Sequence, residues 1–154
     1  MFILADLKRI LLVEDNANDV ELTLIALEEN NLANQVMVVR DGAEALDYLY
    51  ARGAYLGRQS ELPIVVFLDI KLPKIDGLEV LKTMKSDPQL KLIPVVMITS
   101  SNEQQDLMTS YGFGANAYVV KPIKFEDFVS TVKELGLFWA VINSTLAIKK
   151  PNDD

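Results

Sequence analysis

A chain of 154 residues is the size of one domain and is long enough to bury an ordinary hydrophobic core. Half of the residues are hydrophobic and 24% are charged, which excludes a disordered chain, and a net charge of −7 without any Lys/Arg cluster argues against a nucleic-acid surface. Cysteine and histidine are both absent, so disulfides, thiolate or imidazole metal sites, Ser-His-Asp catalysis and a phosphohistidine within this chain are excluded. No run approaches the roughly 18 apolar residues of a membrane span, and the apolar start, Met1 to Asp6, is too short for a signal segment. The expectation is a cytoplasmic protein.

The first strand is predicted over 9–13, where Ile10-Leu11-Leu12-Val13 runs into the acidic pair Glu14-Asp15. A helix over 17–30 leads to a second strand over 36–40, and the turn signal Asp41-Gly42 opens a helix over 42–53. The third strand, 64–68, closes on the single carboxylate Asp69, followed by the loop Ile70-Lys71-Leu72-Pro73-Lys74-Ile75-Asp76-Gly77. Pro73 restricts that loop, and Asp76-Gly77 supplies a turn and an N-cap for a helix over 77–86, which Asp87-Pro88 ends. The fourth strand, 94–98, closes on Thr99, and a helix over 102–112 follows. The fifth strand, 117–120, closes on Lys121, ahead of a last helix over 125–143 and a frayed tail over 144–154. Strands that are apolar throughout belong to a parallel sheet covered on both faces, and the βα alternation implies a doubly wound, three-layer α/β/α fold.

Four strands thus end in polar groups of different chemistry, and the ends of parallel strands lie along one edge, where ligands bind. Glu14, Asp15 and Asp69 at neighbouring strand ends would repel one another unless a cation joins them, and hard carboxylate oxygens suit Mg²⁺. Each residue also has a plainer explanation. Acids after strands commonly begin solvated loops, a lysine after a strand is usually a surface charge, and a threonine there reflects β-propensity. Joint placement favours the site: a carboxylate can act as a nucleophile toward phosphorus when a metal and an ammonium neutralise the phosphoryl oxygens.

These motifs resemble the receiver domains of two-component response regulators, over about residues 8–135 of a unit spanning 1–143. The resemblance rests on Glu14-Asp15, the Asp69 to Gly77 loop, Thr99-Ser100 and Lys121-Pro122. Among receivers, that loop, the segment Leu92 to Ser101 and Phe138-Trp139 are similar to small regulators that partner bacterial phytochromes. The resemblance implies a flavodoxin-like five-stranded sheet in the order 2-1-3-4-5. It implies a single-domain regulator that accepts a phosphoryl group on Asp69 from a histidine kinase, with no catalysis beyond its own phosphorylation and dephosphorylation. Asp15, Asp69 and the backbone carbonyl of Lys71 would bind Mg²⁺, with Glu14 acting through metal-bound water. Thr99 and Lys121 would hold the phosphoryl oxygens, Tyr118 would reorient with Thr99, and Pro122 would follow a cis peptide. Output would pass through the surface of helix four, strand five and helix five.

Two further expectations concern the ends of the site and of the chain. Lys71 and Ser101 flank the phosphoryl position and would tune access of water to it. Phe128, Val132, Leu135, Trp139 and Ile142 form a helical seam; its first members pack on the sheet, while the later ones, with Phe138 and Val141, suggest a homodimer through the C-terminal helix. Other readings compete. A Mg²⁺-dependent phosphohydrolase with an aspartyl nucleophile would want a second acid where Lys71 stands. A flavin domain would want a Gly/Ser/Thr-rich loop in place of Glu14-Asp15-Asn16, and a receiver-shaped interaction module would not need an intact site.

Overall fold

The computed structural model describes residues 8–28, 32–58, 62–100, 104–137 and 140–141. Five strands, β1 (Ile10–Val13), β2 (Val36–Val39), β3 (Val65–Asp69), β4 (Val95–Thr99) and β5 (Ala117–Val120), form one parallel sheet in the order β2-β1-β3-β4-β5. Among the described residues, α1 (Ala17–Glu28), α2 (Gly42–Tyr50), α3 (Gly77–Ser86) and α4 (Gln104–Gly112) connect successive strands, and α5 (Phe125–Glu134) follows β5. Every residue of β1, β3 and β4 is buried, because helices cover both faces. One face packs Leu11, Val13, Val66, Leu68, Val95 and Met97 against α2 and α3. The other packs Ile10, Leu12, Phe67, Val96 and Ile98 against α1 and α5, with Phe67 and Phe128 stacked at 5.5 Å. The predicted architecture and strand order are those observed. No helix among the described residues is long and apolar enough to cross a membrane.

Several boundaries differ from the sequence reading. β3 and β4 each run one residue further, to Asp69 and Thr99, since those polar residues still pair across the ladder, Asp69 with Ile98 and Thr99 with Val120. α2 stops at Tyr50 rather than 53, where Ala51 turns left-handed with φ 54°. The extended helix to 143 is corrected: α5 ends at Glu134, and Gly136 adopts φ 75°, a conformation that glycine tolerates and that leaves the helical path. Val141, placed by the periodicity on a surface, is wholly buried in the core beside Phe128 and Val132. Trp139, Ile142 and Phe138 lie outside the described residues, as do 102–103 at the predicted start of the fourth helix.

The sheet aims its polar strand ends at one place. The order reverses at β1 and β3, which lie side by side with Val13 opposite Leu68, so Glu14 and Asp69 emerge as neighbours. α3 seats directly on the end of β3: a Cβ on Gly77 would lie 2.0 Å from the Asp69 carbonyl oxygen, and only glycine permits that approach.

Candidate functional site

A cleft of about 280 Å³ opens at the C-terminal edge of the sheet, lined by Glu14, Asp15, Asn16, Asp19, Asp69, Ile70, Lys71, Thr99, Ser100 and Lys121. All four polar strand ends read from the sequence meet there. Lys121 reaches in from β5. Its Nζ lies 3.0 Å from Glu14 Oε1, 3.0 Å from Asp69 Oδ2 and 3.1 Å from Asp19 Oδ2. Glu14, Asp69 and Thr99 are almost completely buried, whereas Asp15 is exposed at the rim. The peptide bond between Lys121 and Pro122 is cis, as the resemblance implied.

Local hydrogen bonds fix these side chains. The Asn16 N–H donates to Glu14 Oε2 at 3.1 Å, and the Lys71 N–H donates to Asp69 Oδ1 at 3.4 Å. The Thr99 hydroxyl donates to the Ser100 carbonyl at 2.9 Å, so it is turned to the backbone rather than to Asp69. Within the loop, Asp76 caps α3 by accepting from the Leu78 N–H, and the Pro73 carbonyl accepts from the Gly42 N–H, tying the loop to α2. The Lys71 ammonium turns away from Asp69 and pairs with Asp106 of α4 at 3.2 Å. Tyr118 does not line the cleft. It is 44% exposed on β5 with its ring edge-on to Tyr111 of α4. Ser101 lies outside the described residues.

Two residues of this cleft escaped the sequence reading. Asp19 belongs to the first turn of α1, where an acid favours the helix dipole and attracts no notice. Asn16 figures in the sequence only as a neighbour of the acidic pair; its Oδ1 accepts the Asp19 N–H at 3.0 Å. No local pattern could report that α1 faces the end of β5.

The electrostatics are strained toward a cation. Burial pushes the Glu14 carboxyl up from 4.5 to about 7, reinforced by the charge of Asp69 and opposed by the Asn16 N–H and by Lys121. Burial also disfavours the Lys121 ammonium, but hydrogen bonds to Asp69 and Glu14 outweigh it and hold its pKa above the ordinary lysine range. Glu14, Asp15 and Asp69 each offer a carboxylate oxygen, all within 4.8 Å of one another. An all-oxygen, all-anionic donor set with no nitrogen or sulfur fits a hard divalent cation. Chemically, the cleft presents the buried Asp69 carboxylate beside an ammonium, a hydroxyl and two further acids that could hold a cation with it.

Residues 10–133 match the response regulator receiver domain family. The solved bacteriophytochrome response regulator AtBRR is 58% identical, with a TM-score of 0.80 over 89% of this chain and 98% of that one. The phosphorylated cyanobacterial phytochrome response regulator RcpA is 40% identical, with a TM-score of 0.70 over 87% of this chain and 94% of that one. Response regulator Rcp1 of Synechocystis sp. is 37% identical over 132 residues, 86% of this chain and 88% of its own. A Mn²⁺-bound form of response regulator Rcp1 gives a TM-score of 0.68 over 84% of this chain and 92% of that one. The family match runs from β1 to the last turn of α5, and the acids, hydroxyl and lysine at the strand ends fall within it: the chain is a response regulator receiver domain.

Proposed function

We propose that Asp69 is the phosphoacceptor of a two-component relay, taking its phosphoryl group from the phosphohistidine of a histidine kinase. An Asp69 carboxylate oxygen attacks phosphorus, the P–N bond breaks, and the kinase imidazole leaves with the bonding pair. The observation that carries this reading is the Lys121 ammonium 3.0 Å from Asp69 Oδ2, beside three carboxylates within 4.8 Å of one another. Phosphorylation on aspartate is typical of the family, and a relative has been solved phosphorylated.

Asp15 and Asp69, with the Lys71 carbonyl, are the groups to hold Mg²⁺, and Glu14 acts through bound water. When bound, the cation offsets charge on the phosphoryl oxygens. A Mn²⁺-bound relative supports a divalent ion of this type. Lys121 supplies a second positive charge, and the Thr99 hydroxyl turns from the Ser100 carbonyl to a phosphoryl oxygen. Two charge-assisted hydrogen bonds contribute about 3–6 kcal/mol together, against about 5.5 kcal/mol for a shift from 1:99 to 99:1. Tyr118 follows Thr99 inward and changes the α4–β5–α5 surface, whose exposed Met108, Tyr111 and Tyr118 suit a protein partner.

The kinase is of phytochrome type on this reading, as the likeness to the phytochrome response regulators AtBRR and RcpA suggests. The protein works in the cytoplasm and catalyses only its own phosphorylation and dephosphorylation. A homodimer is part of this reading, suggested by the apolar sequence of the C-terminal segment; a monomeric mass by light scattering at high concentration would reject that. A phosphohydrolase is disfavoured because the position two after Asp69 holds an ammonium paired with Asp106.

The test is to incubate the protein with acetyl phosphate and Mg²⁺ and weigh it intact. One phosphoryl group is expected, lost on adding EDTA from the start and lost in Asp69→Asn. Equal incorporation by Asp69→Asn would overturn the assignment.

A further inference from the structure

Lys121 has three anionic partners, and two of them belong to the cluster that would hold a cation. Its Nζ contacts Glu14, Asp69 and Asp19 at 3.0, 3.0 and 3.1 Å. Glu14 and Asp69 also belong to the set, with Asp15, whose oxygens converge within 4.8 Å; Asp19 does not. A divalent ion drawing on Glu14 and Asp69 would compete with Lys121 for two of its three anchors and would place a like charge near it. Asp19 is the partner outside that competition.

Asp19 is placed for this independently of the cluster. Its N–H donates to Asn16 Oδ1 at 3.0 Å and its carbonyl accepts the Thr23 hydroxyl at 2.8 Å, which fix it in the first turn of α1. An acid there is ordinarily explained by the helix dipole. The dipole does not explain why this carboxylate meets an ammonium 102 residues away in the chain.

We propose that Asp19 is a positioning residue: it keeps the Lys121 ammonium in the cleft beside Asp69 when a divalent cation draws on Asp69 directly and on Glu14 through bound water, so that the ammonium is in place for the arriving phosphoryl group. The inference rests on the reading of Asp69 as phosphoacceptor. It divides the acids of the cleft by task, with Glu14, Asp15 and Asp69 for the metal and Asp19 for the lysine.

Asp19→Asn preserves the size of the side chain and the helical turn and removes the charge. The readouts are the ¹⁵N resonance and proton exchange of the Lys121 ammonium with and without Mg²⁺, and the rate of phosphorylation by acetyl phosphate at saturating Mg²⁺. In the wild type the ammonium signal stays protected when Mg²⁺ is added; in Asp19→Asn it is protected without Mg²⁺ and lost with it. The rate falls about three- to tenfold, less than a buried charged hydrogen bond would give because Asp19 is partly exposed. Asp19→Glu restores much of both, and in a Lys121→Ala background Asp19→Asn leaves the residual rate within about twofold. An ammonium signal that responds to Mg²⁺ identically in wild type and Asp19→Asn overturns the proposal, as does an equal loss of rate with and without Lys121. If the wild type takes no phosphoryl group while the lysine signals behave as stated, the phosphoacceptor reading fails and the positioning role stands.

Discussion

Lys121→Ala tests the electrostatic account of the cleft most directly, because it removes the ammonium that pairs with Glu14, Asp19 and Asp69. At an effective dielectric constant near 20, a contact of about 3 Å is worth roughly 5–6 kcal/mol before desolvation. Desolvation cancels much of this, and breaking a largely buried charge pair costs about 3–5 kcal/mol in practice. For a chain of this size that corresponds to a melting temperature lower by roughly 6–20 °C in EDTA at pH 8. The penalty depends on pH. Glu14 titrates at about 7 in the folded protein and at 4.5 in the reference state, so the fold binds more protons between those values. Its contribution to stability therefore declines as pH rises through that window, in the wild type and more steeply without Lys121. Lowering the pH from 8 to 6 lets one carboxyl take a proton and recovers up to about 2.7 kcal/mol. Mg²⁺ replaces the lost charge, so it stabilises Lys121→Ala more than the wild type. The assay is thermal unfolding at pH 6 and 8, with EDTA or saturating Mg²⁺. Equal melting temperatures for the two proteins in EDTA at pH 8, or a smaller Mg²⁺ response in the variant, would refute the reasoning.

Gly77→Ala puts a methyl group 2.0 Å from the Asp69 carbonyl oxygen and 2.8 Å from that of Ile70. α3 must lift from β3 to relieve this, and the urea midpoint should fall by the equivalent of about 3 kcal/mol; an unchanged midpoint would mean that α3 does not seat there. Phe128→Ala empties a fully buried site stacked on Phe67 and should cost about 3–5 kcal/mol in urea unfolding. Asp41→Ala removes the cap whose carboxylate accepts the Glu44 N–H at 2.7 Å, for a loss of about 1 kcal/mol with phosphorylation by acetyl phosphate unchanged. Lys71→Ala breaks an exposed pair with Asp106 and should change stability by less than about 1 kcal/mol, while the lifetime of the phosphorylated form changes measurably.

The apolar runs were legible as parallel strands because β1, β3 and β4 are buried on both faces and carry no alternation to obscure them. β5 was found on its apolar character, although it is an edge strand with Tyr118 and Val120 facing solvent. The ends of β3 and β4 were misplaced because a polar side chain looks like loop even where the backbone still pairs. The C-terminal helix was overextended for the opposite reason. The spacing from Phe128 through Leu135 continues past Gly136 in sequence, but the backbone at Gly136 turns at φ 75°. Hydrophobic periodicity carries no information about a reversal of φ.

The site divides along the same line. Glu14, Asp69, Thr99 and Lys121 could be read because each follows an apolar run, and the topology of a parallel sheet brings such ends together. Asp19 could not, because its task is set by a contact across the fold. That contact completes the charge accounting of the cleft. Four carboxylates, of Glu14, Asp15, Asp19 and Asp69, share one lining with Lys121, so the ammonium offsets only one of four negative charges. Lys71 contributes its backbone N–H to Asp69 and spends its charge on Asp106. A phosphoryl group adds further negative charge to the same volume. Burial first, and then the charge of Asp69, drive Glu14 toward protonation and raise its carboxyl to about 7. A divalent ion would offset two of the three negative charges that Lys121 leaves unmatched, and Asp19 would stay the ammonium's partner outside the cation-binding set.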